Sequence, residues 1–258
     1  MLLFWGLVII LRYGILRSGE NMHKPVLLQE VIDYLNVKVG GLYIDATFGE
    51  GHHSIEILAR GGKVLGVEWD FNQYQRAKIK NQRCINLKKL ILINGNFRDI
   101  EQIAKQNNFY PVDGVLFDLG LSMWQLKKSG RGFSFKKLNE PLDMRLSDEL
   151  KDKASDLINS LSPKELYEIL ATYSEEINSW SIVKTLVRTR ALKKIKLVGD
   201  LVNAVDRAIE RKDERVYRRV FQALRIAVNK EFENLEKGLL GALNLIKKEG
   251  RIVVITFH

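Results

Sequence analysis

Residues Tyr43–Leu58, YIDATFGEGHHSIEIL, determine how the rest of the chain is interpreted. An apolar run ends on an acid, Asp45, and two glycines and two histidines follow within Gly49–His53 before apolar periodicity resumes. This order of residue types predicts a strand that passes into a helix through a glycine-rich turn. Ligands of open parallel sheets bind beyond the carboxyl ends of the strands, so this turn is a candidate ligand-binding loop.

The same pattern recurs along the chain. Further strands are predicted within Lys63–Asp70, Leu87–Phe97, Val112–Gly120 and Gly250–His258. A helical segment, Phe71–Asn81, separates the first two of these runs. Short apolar runs that alternate with helices predict a parallel sheet that is covered on both faces.

This alternation stops in the second half of the chain. From about residue 121 to residue 216 the pattern is helical, polar and basic, without a convincing strand. Ser162–Leu170, SPKELYEIL, is typical of this region, because a serine N-cap is followed by a proline at the first helical position. We therefore predict one α/β domain, residues 22–120 and 217–258, with a helical insert over residues 121–216.

The composition limits the classes of function. The chain has 258 residues, 46% of them hydrophobic, and a formal net charge of +10. Lys184–Lys230 alone holds 14 Lys/Arg against five Asp/Glu. A basic helical stretch is often only a solvated face, but this concentration of charge favours a nucleic-acid partner. One cysteine, Cys84, excludes a disulfide framework, and the four scattered histidines predict no structural metal.

The first 21 residues need a separate interpretation. The apolar run Met1–Leu11 is too short to span a bilayer and is followed by Arg12. No basic segment precedes it, which is unlike a signal peptide. Three interpretations of this segment compete: a membrane anchor, an ordinary apolar helix, and an extension from a misplaced start codon. The last is favoured, because Met22 opens a well-patterned segment.

Four successive strand ends carry groups suited to an adenosine ligand. Gly51 lets the backbone approach a ligand closely, because glycine lacks a Cβ atom. Glu68, about twenty residues further on, is placed to accept from both ribose hydroxyls. Phe97 offers a flat apolar wall, and Asp118 adds a carboxylate. Taken singly, each has an ordinary explanation, namely loop geometry, core packing or a solvated acid, so the prediction depends on the combination.

The turn also discriminates between adenosine ligands. Gly49–Ser54, GEGHHS, lacks the last glycine of the dinucleotide fingerprint G-x-G-x-x-G. Glu50 and Asp45 are unfavourable beside a pyrophosphate, but they suit S-adenosylmethionine, which carries an ammonium and a sulfonium and no phosphate. We expect this methyl donor, with an NAD-dependent oxidoreductase as the less favoured alternative.

With these residues identified, the chain resembles the 16S ribosomal RNA (cytosine-N4) methyltransferase family, the RsmH or MraW type. The resemblance runs from Met22 to His258, through the motifs YIDATFGEGHHS, FDLGLSMWQL, GRGFSF, PLDMRL, RVFQALRIAVNKEFENLE and GRIVVITFH. It implies a Rossmann-like class I S-adenosylmethionine-dependent methyltransferase sheet with an inserted helical domain. The donor-binding residues that it implies are Gly51, His52, His53, Glu68, Phe97, Asp118 and Gln125.

The resemblance also implies a reaction. The expected activity is methylation of N4 of a cytidine in 16S ribosomal RNA of the small ribosomal subunit, in the cytoplasm and without a membrane partner. Asp118 is a tentative acceptor for the amino protons, and no catalytic base is otherwise assigned. The helical insert is expected to recognise RNA. Candidate contacts to RNA are Arg131, Arg145, Arg218 and Arg219, although ion pairs that organise a loop explain the first two equally well. A homodimer is one option for the assembly.

Three departures from the family pattern affect these expectations. His52 stands where the family usually has a glycine, and Trp124 replaces a usual proline beside Gln125. The family continues past His258 with two further strands, so the C-terminal strands are expected to be missing and the fifth predicted strand to be a bare sheet edge. A truncated, non-catalytic RNA-binding or assembly protein is therefore the alternative function.

Overall fold

The computed structural model describes residues 7–12 and 26–256, which form two compact units. The first unit contains the described residues up to Gly120 together with those from Glu233 onward, and the second is Leu121–Phe232. The predicted end of the insert, at residue 216, falls instead inside a helix, Glu214–Asn229, whose buried face includes Val220 and Leu224. These residues belong to the core of the second unit, and the unit continues to Phe232 for this reason.

The first unit is built on a parallel sheet of six strands in the order β1-β6-β5-β2-β3-β4. The strands are β1 Leu7–Arg12, β2 Leu42–Asp45, β3 Lys63–Glu68, β4 Leu90–Asn94, β5 Val112–Asp118 and β6 Ile246–Thr256. The helices are α1 Leu28–Leu35, α2 His52–Ala59, α3 Phe71–Lys80, α4 Gln82–Asn86 and α5 Ile100–Gln106, with a 3-10 turn at Phe97–Asp99.

The inner strands of this sheet are buried on both faces, as the apolar runs predicted. Neighbouring residues of one strand belong to different core clusters, because successive side chains of a strand point to opposite faces. Val115 and Phe117 of β5 lie in one cluster, whereas Leu116 between them lies in the other. The class I methyltransferase fold expected from the sequence is thus confirmed in its parallel α/β sheet.

The N-terminal strand β1 corrects two expectations. It pairs in parallel with β6 in an unbroken register from Leu7 opposite Arg251 to Arg12 opposite Thr256. The expectation of a bare edge at the last predicted strand is therefore wrong, and so is an apolar helix over residues 7–12. The β-branched residues of this run favour a strand, and Leu11 packs against the sheet's core.

Other expectations about the termini lie outside the described residues. These are residues 1–6 and 13–25, including Met22, and the last two residues of the closing strand. Across 7–12 and 26–256, every helix is either too short or too polar to cross a bilayer.

The second unit is helical and has its own core. Its helices are α6 Met123–Lys128, α7 Ala154–Ser160, α8 Pro163–Ser174, α9 Ser179–Leu192, α10 Val198–Ile209 and α11 Glu214–Asn229. α8 begins as predicted, since the Ser162 hydroxyl accepts from the Glu165 backbone and the Glu165 carboxylate accepts in return from the Ser162 backbone. The helix α12, Glu231–Leu245, then leads into β6.

Candidate functional site

The glycine-rich turn joins the end of β2 to the start of α2. Gly51 is the N-cap of α2 with a φ of 79°, and its N–H donates to the Phe48 carbonyl at 2.8 Å. A Cβ atom at Gly51 would come within 2.6 Å of the Phe48 ring, so both the backbone and the space require glycine here.

Phe48 holds this turn, and the sequence reasoning passed over it. Its ring is buried and also lies against Gly66 of β3, where an added Cβ would come within 2.3 Å of the ring. A glycine in the middle of a buried strand signals the close approach of another group. Gly66 was therefore the signal that could have revealed Phe48.

Glu68 connects the glycine turn to the end of β3. Its Oε2 accepts from the Gly49 N–H at 2.9 Å, and its Oε1 accepts from the Asp70 N–H at 2.8 Å. Burial raises the pKa of Glu68 to about 8, although the two N–H donors oppose this shift. Each carboxylate oxygen has two lone pairs, so each could accept a further hydrogen bond from a ligand.

Asp45 has a structural partner inside the turn. Its buried Oδ2 accepts from the Ser54 hydroxyl at 2.6 Å, and burial raises its pKa. The neighbouring Thr47 hydroxyl oxygen accepts from the Asp118 N–H at 2.7 Å. These bonds tie the end of β2 to α2 on one side and to β5 on the other.

His53, in the first turn of α2, lies beside Asp118 at the end of β5. Nδ1 of His53 is 3.8 Å from Oδ2 of Asp118, and Nε2 is 3.0 Å from the carbonyl oxygen of Val26. Burial raises the pKa of Asp118 to about 6, while the positive charge of His53 opposes the shift and the negative charge of Asp45 adds to it. The Asp118 side chain remains 28% exposed, so it can reach a ligand.

Phe97 follows β4 in the 3-10 turn. Its ring packs edge-on against Phe117, with ring centres 5.7 Å apart, and a Cβ added at Gly238 would come within 2.8 Å of it. The ring is partly buried, so its packing role is established, and its role as a ligand wall stays a prediction. Six of the predicted donor-binding residues thus lie in the first unit, at the carboxyl ends of its strands or in the turns and helix starts that follow: Gly51, His52, His53, Glu68, Phe97 and Asp118.

The family assignment follows from comparison with known proteins. The profile of the MraW methylase family matches residues 20–258. The chain belongs to the MraW methylase family. It is therefore a methyltransferase, and its methyl donor is S-adenosylmethionine.

Individual MraW relatives agree with this assignment. Ribosomal RNA small subunit methyltransferase H of Thermomicrobium roseum is 44% identical over 93% of this chain and 74% of its own length. The protein of the same name from Dictyoglomus thermophilum is 40% identical over 93% of this chain and 81% of its own. A solved rRNA methylase from Streptococcus thermophilus aligns over 39% of this chain and 58% of its own, at 18% identity and a TM-score of 0.32, which is too weak a likeness to support any argument.

Two predicted donor-binding residues of this MraW methylase have other contacts. His52 Nε2 lies 3.9 Å from Oε2 of Glu50, and both side chains are about one third exposed. Gln125 lies on α6 in the second unit, where its Oε1 accepts from the Ser122 N–H at 2.9 Å and closes the helix cap. Nothing in these contacts assigns either residue to a ligand.

Arg131 and Arg145 organise the loop that carries the GRGFSF and PLDMRL motifs of the MraW methylase. Arg131 donates to the carbonyl oxygens of Arg145 and Leu146 at 3.0 and 3.2 Å. Arg145 makes a two-pronged contact with Asp143, at 2.7 and 2.9 Å. Their side chains are only 13% and 17% exposed, so the loop-organising alternative accounts for both.

Arg218 and Arg219 lie on α11 and are more accessible. Arg218 pairs with the exposed Glu214 at 3.1 Å, in a bond that water screens. Nη2 of Arg219 lies 2.6 Å from Oε2 of Glu176, whose side chain is fully buried. Arg219 therefore neutralises a buried acid, and only Arg218 is readily available to a phosphate.

Asn229 is a structural residue of the MraW methylase that the sequence reasoning missed. It is fully buried at the end of α11. Its Oδ1 accepts from the Leu146 N–H at 2.7 Å, and its Nδ2 donates to the Met144 carbonyl at 2.8 Å. One amide side chain thus fixes the backbone of the PLDMRL segment where Met144 has a φ of 61°. A polar residue within an apolar helix face was the available signal.

Proposed function

We propose that this chain transfers a methyl group from S-adenosylmethionine to N4 of a cytidine in 16S ribosomal RNA. The relatives that align with 93% of the chain are named as small-subunit ribosomal RNA methyltransferases, which supports the RNA substrate. The observation that carries the proposal is the placement of Glu68 and the His53–Asp118 pair at the carboxyl ends of β3 and β5. A ribosomal substrate also implies a cytoplasmic location.

The residues at this edge of the sheet fit the methyl donor. The lone pairs that remain on the buried Glu68 carboxylate accept from the two ribose hydroxyls. The Phe48 ring against Gly51 and the bond from the Gly49 N–H to Glu68 fix the course of the turn beside that carboxylate. Asp118 and His53 lie beside this turn, and Phe97, in the turn after β4, would supply an apolar wall for the adenine.

The chemistry requires positioning more than activation. S-adenosylmethionine supplies an electrophilic methyl group on a sulfonium. The amino lone pair of cytosine is delocalised into the ring, so holding the unstacked base in line for attack is the main contribution of the protein. Asp118 accepts the proton that the amino group must lose on methylation, since a carboxyl with a pKa of about 6 is still mostly ionised at neutral pH.

The helical unit recognises RNA in this proposal. Its basic excess suits phosphates, and Arg218 is the best placed of the four predicted arginines. Arg131, Arg145 and Arg219 act indirectly, since their guanidinium groups hold loop backbone or a buried acid.

The test is mass spectrometry of small-subunit ribosomal RNA after incubation with the protein and isotopically labelled methyl donor. We expect one labelled N4-methylcytidine, and we expect Glu68→Ala to reduce donor affinity at least tenfold while the fold is retained by circular dichroism. RNA binding without any labelled cytidine would instead support the non-catalytic assembly protein.

A further inference from the structure

The exposed face of α9 carries an aromatic and basic stripe, formed by Trp180, Lys184 and Arg188 at successive helical turns. Trp180 is 48% exposed, and Nζ of Lys184 lies 5.4 Å from the centre of its ring. Tyr167 of α8, 40% exposed, meets Trp180 edge-to-face with ring centres 5.5 Å apart. We call these four residues the α9 stripe.

Neither Trp180 nor Tyr167 is among the described residues that pack into the core of the second unit. The opposite face of α9 is the one that enters the core, through Ile182, Val183 and Leu186. A half-exposed indole on the other face leaves apolar surface in water, which a protein tolerates singly but which a partner can use.

The charges of the stripe are uncompensated. α9 contains Lys184, Arg188 and Arg190 and no acidic residue. Within the described part of the chain, neither Lys184 nor Arg188 forms an ion pair with an acid. Other basic residues of the unit do have such partners, for example Lys193 with Asp200 at 3.5 Å. The stripe therefore offers positive charge beside an open aromatic face.

We propose that the α9 stripe is a stacking platform for a single-stranded segment of RNA, an inference that depends on the proposed RNA methyltransferase function. A base takes the place of the Lys184 ammonium over the Trp180 ring, and Lys184 and Arg188 then contact the flanking phosphates. Stacking on an aromatic ring together with basic residues along the backbone is how proteins hold unpaired strands.

Single-stranded RNA fits this surface better than a protein partner does. An unpaired base exposes the flat face that an indole can cover, whereas paired bases hide theirs inside the helix. The stretch Lys184–Lys230 holds almost the whole positive surplus of the chain, which suits a polyanion. The target cytidine must itself be unpaired for its amino group to be reached.

The test compares variants of the full chain for binding to a short fluorescein-labelled single-stranded oligoribonucleotide and to the same sequence in a duplex. We expect Trp180→Ala to weaken single-strand binding about tenfold and Trp180→Phe to restore most of it, because phenylalanine keeps a stacking surface. The matched control is Leu192→Ala, since Leu192 lies on the same helix and is 92% exposed but carries no ring. This control should bind as the unmodified protein does.

Salt dependence tests the basic residues. Lys184→Ala and Arg188→Ala should each reduce the slope of log affinity against log salt by about 0.7, the value for one phosphate of a single strand. In methylation assays, Trp180→Ala should raise the KM for RNA and leave both kcat and the donor affinity unchanged.

The outcomes separate this inference from the function on which it depends. If Trp180→Ala methylates RNA with an unchanged KM, the platform is wrong and the methyltransferase stands. If the unmodified protein labels no RNA but binds single strands in a Trp180-dependent way, the function fails and the platform is supported. Equal losses of single-strand affinity in Trp180→Ala and Leu192→Ala would overturn the platform. It would also be overturned if Trp180→Ala lost the binding of a protein partner and kept its affinity for RNA.

Discussion

Nδ1 of His53 lies 3.8 Å from Oδ2 of Asp118 at the carboxyl edge of the sheet. A backbone carbonyl can only accept, so the 3.0 Å contact with Val26 requires the hydrogen of a neutral imidazole to be on Nε2. Nδ1 then presents a lone pair to the Asp118 carboxylate 3.8 Å away. Two acceptors face each other unless one of them is protonated, which couples the charge of Asp118 to that of His53.

This coupling predicts a change in the pH profile of methylation when His53 is replaced. The positive charge of His53 lowers the pKa of Asp118, so its loss should raise that pKa above about 6. Asp118 accepts a proton only when ionised, and the acid limb of kcat against pH should therefore move to higher pH in His53→Gln. At pH 6 the variant should be about 3- to 10-fold slower than the unmodified enzyme.

The two profiles should converge at higher pH, where Asp118 is ionised in both proteins. Convergence distinguishes an electrostatic role from structural damage, which would lower the rate at every pH. Asp118→Asn should abolish the acid limb altogether. A His53→Gln profile parallel to that of the unmodified enzyme over the whole range would show that the charge of His53 does not affect Asp118.

Glu68 predicts a second pH dependence, in the affinity for the nucleoside. Ribose hydroxyls donate to the ionised carboxylate, and the pKa of Glu68 is raised to about 8 by burial. Affinity should therefore rise as the pH increases towards 8, by up to about tenfold per unit, and level off above it. Calorimetry with 5′-methylthioadenosine is the measurement of choice, because that ligand has the ribose and adenine but no titrating amino acid group.

The matched variant is Glu68→Gln, whose affinity should be lower and independent of pH over this range. The same variant also tests how the stability of the ligand-free protein depends on pH. A carboxyl whose pKa is raised from 4.5 to about 8 on folding favours the fold below pH 4.5 and loses that contribution as the pH rises towards 8. Between pH 5 and pH 9, Glu68→Gln should therefore lose less stability than the unmodified protein. Equal losses would show that the Glu68 carboxyl does not contribute to the pH dependence of stability.

The free-energy cost of crowding the Phe48 ring at Gly51 can be measured by comparison with a second glycine, Gly40. Gly51 and Gly40 have nearly the same φ, 79° and 77°, but a Cβ at Gly40 would meet no atom within 4 Å. Gly40→Ala should cost about 1 kcal/mol of unfolding free energy through its backbone alone. Gly51→Ala should cost about 1 to 3 kcal/mol more, because its methyl group would overlap the Phe48 ring.

Urea denaturation of both variants provides this comparison. Phe48→Leu in the Gly51→Ala background should recover part of the loss, since a smaller side chain makes room for the new methyl group. Identical costs at the two positions would show that the turn can move away from Phe48 without penalty.

The sequence predicted the sheet because each of its inner strands is short, apolar and followed by a polar group. Glu68 and Asp118 were found in this way, since a carboxylate that ends an apolar run is visible without a structure. Phe48 was not, because its significance depends on Gly51 and Gly66 meeting the same ring from different elements.

The arginines show a different limit. Arg131 and Arg145 read as potential phosphate ligands, yet their donors are used by the carbonyls and by Asp143 within one loop. A side chain's partners across a loop depend on backbone geometry that residue type does not encode. For the same reason, the pairing of β1 with β6, more than 240 residues away, could not be read from the apolar run alone.

Two neighbouring residues of β1 test that pairing. Ile10 is 67% exposed, whereas Leu11 points to the opposite face and packs against the core beneath the sheet. Leu11→Asp should lower the unfolding free energy by about 1 to 3 kcal/mol, because it brings a charge to a partly buried apolar site, and should free the edge of β6 for aggregation. Ile10→Asp should change stability by no more than about 0.5 kcal/mol. Urea denaturation with light scattering measures both effects, and equal behaviour of the two variants would mean that β1 does not dock on β6 in solution.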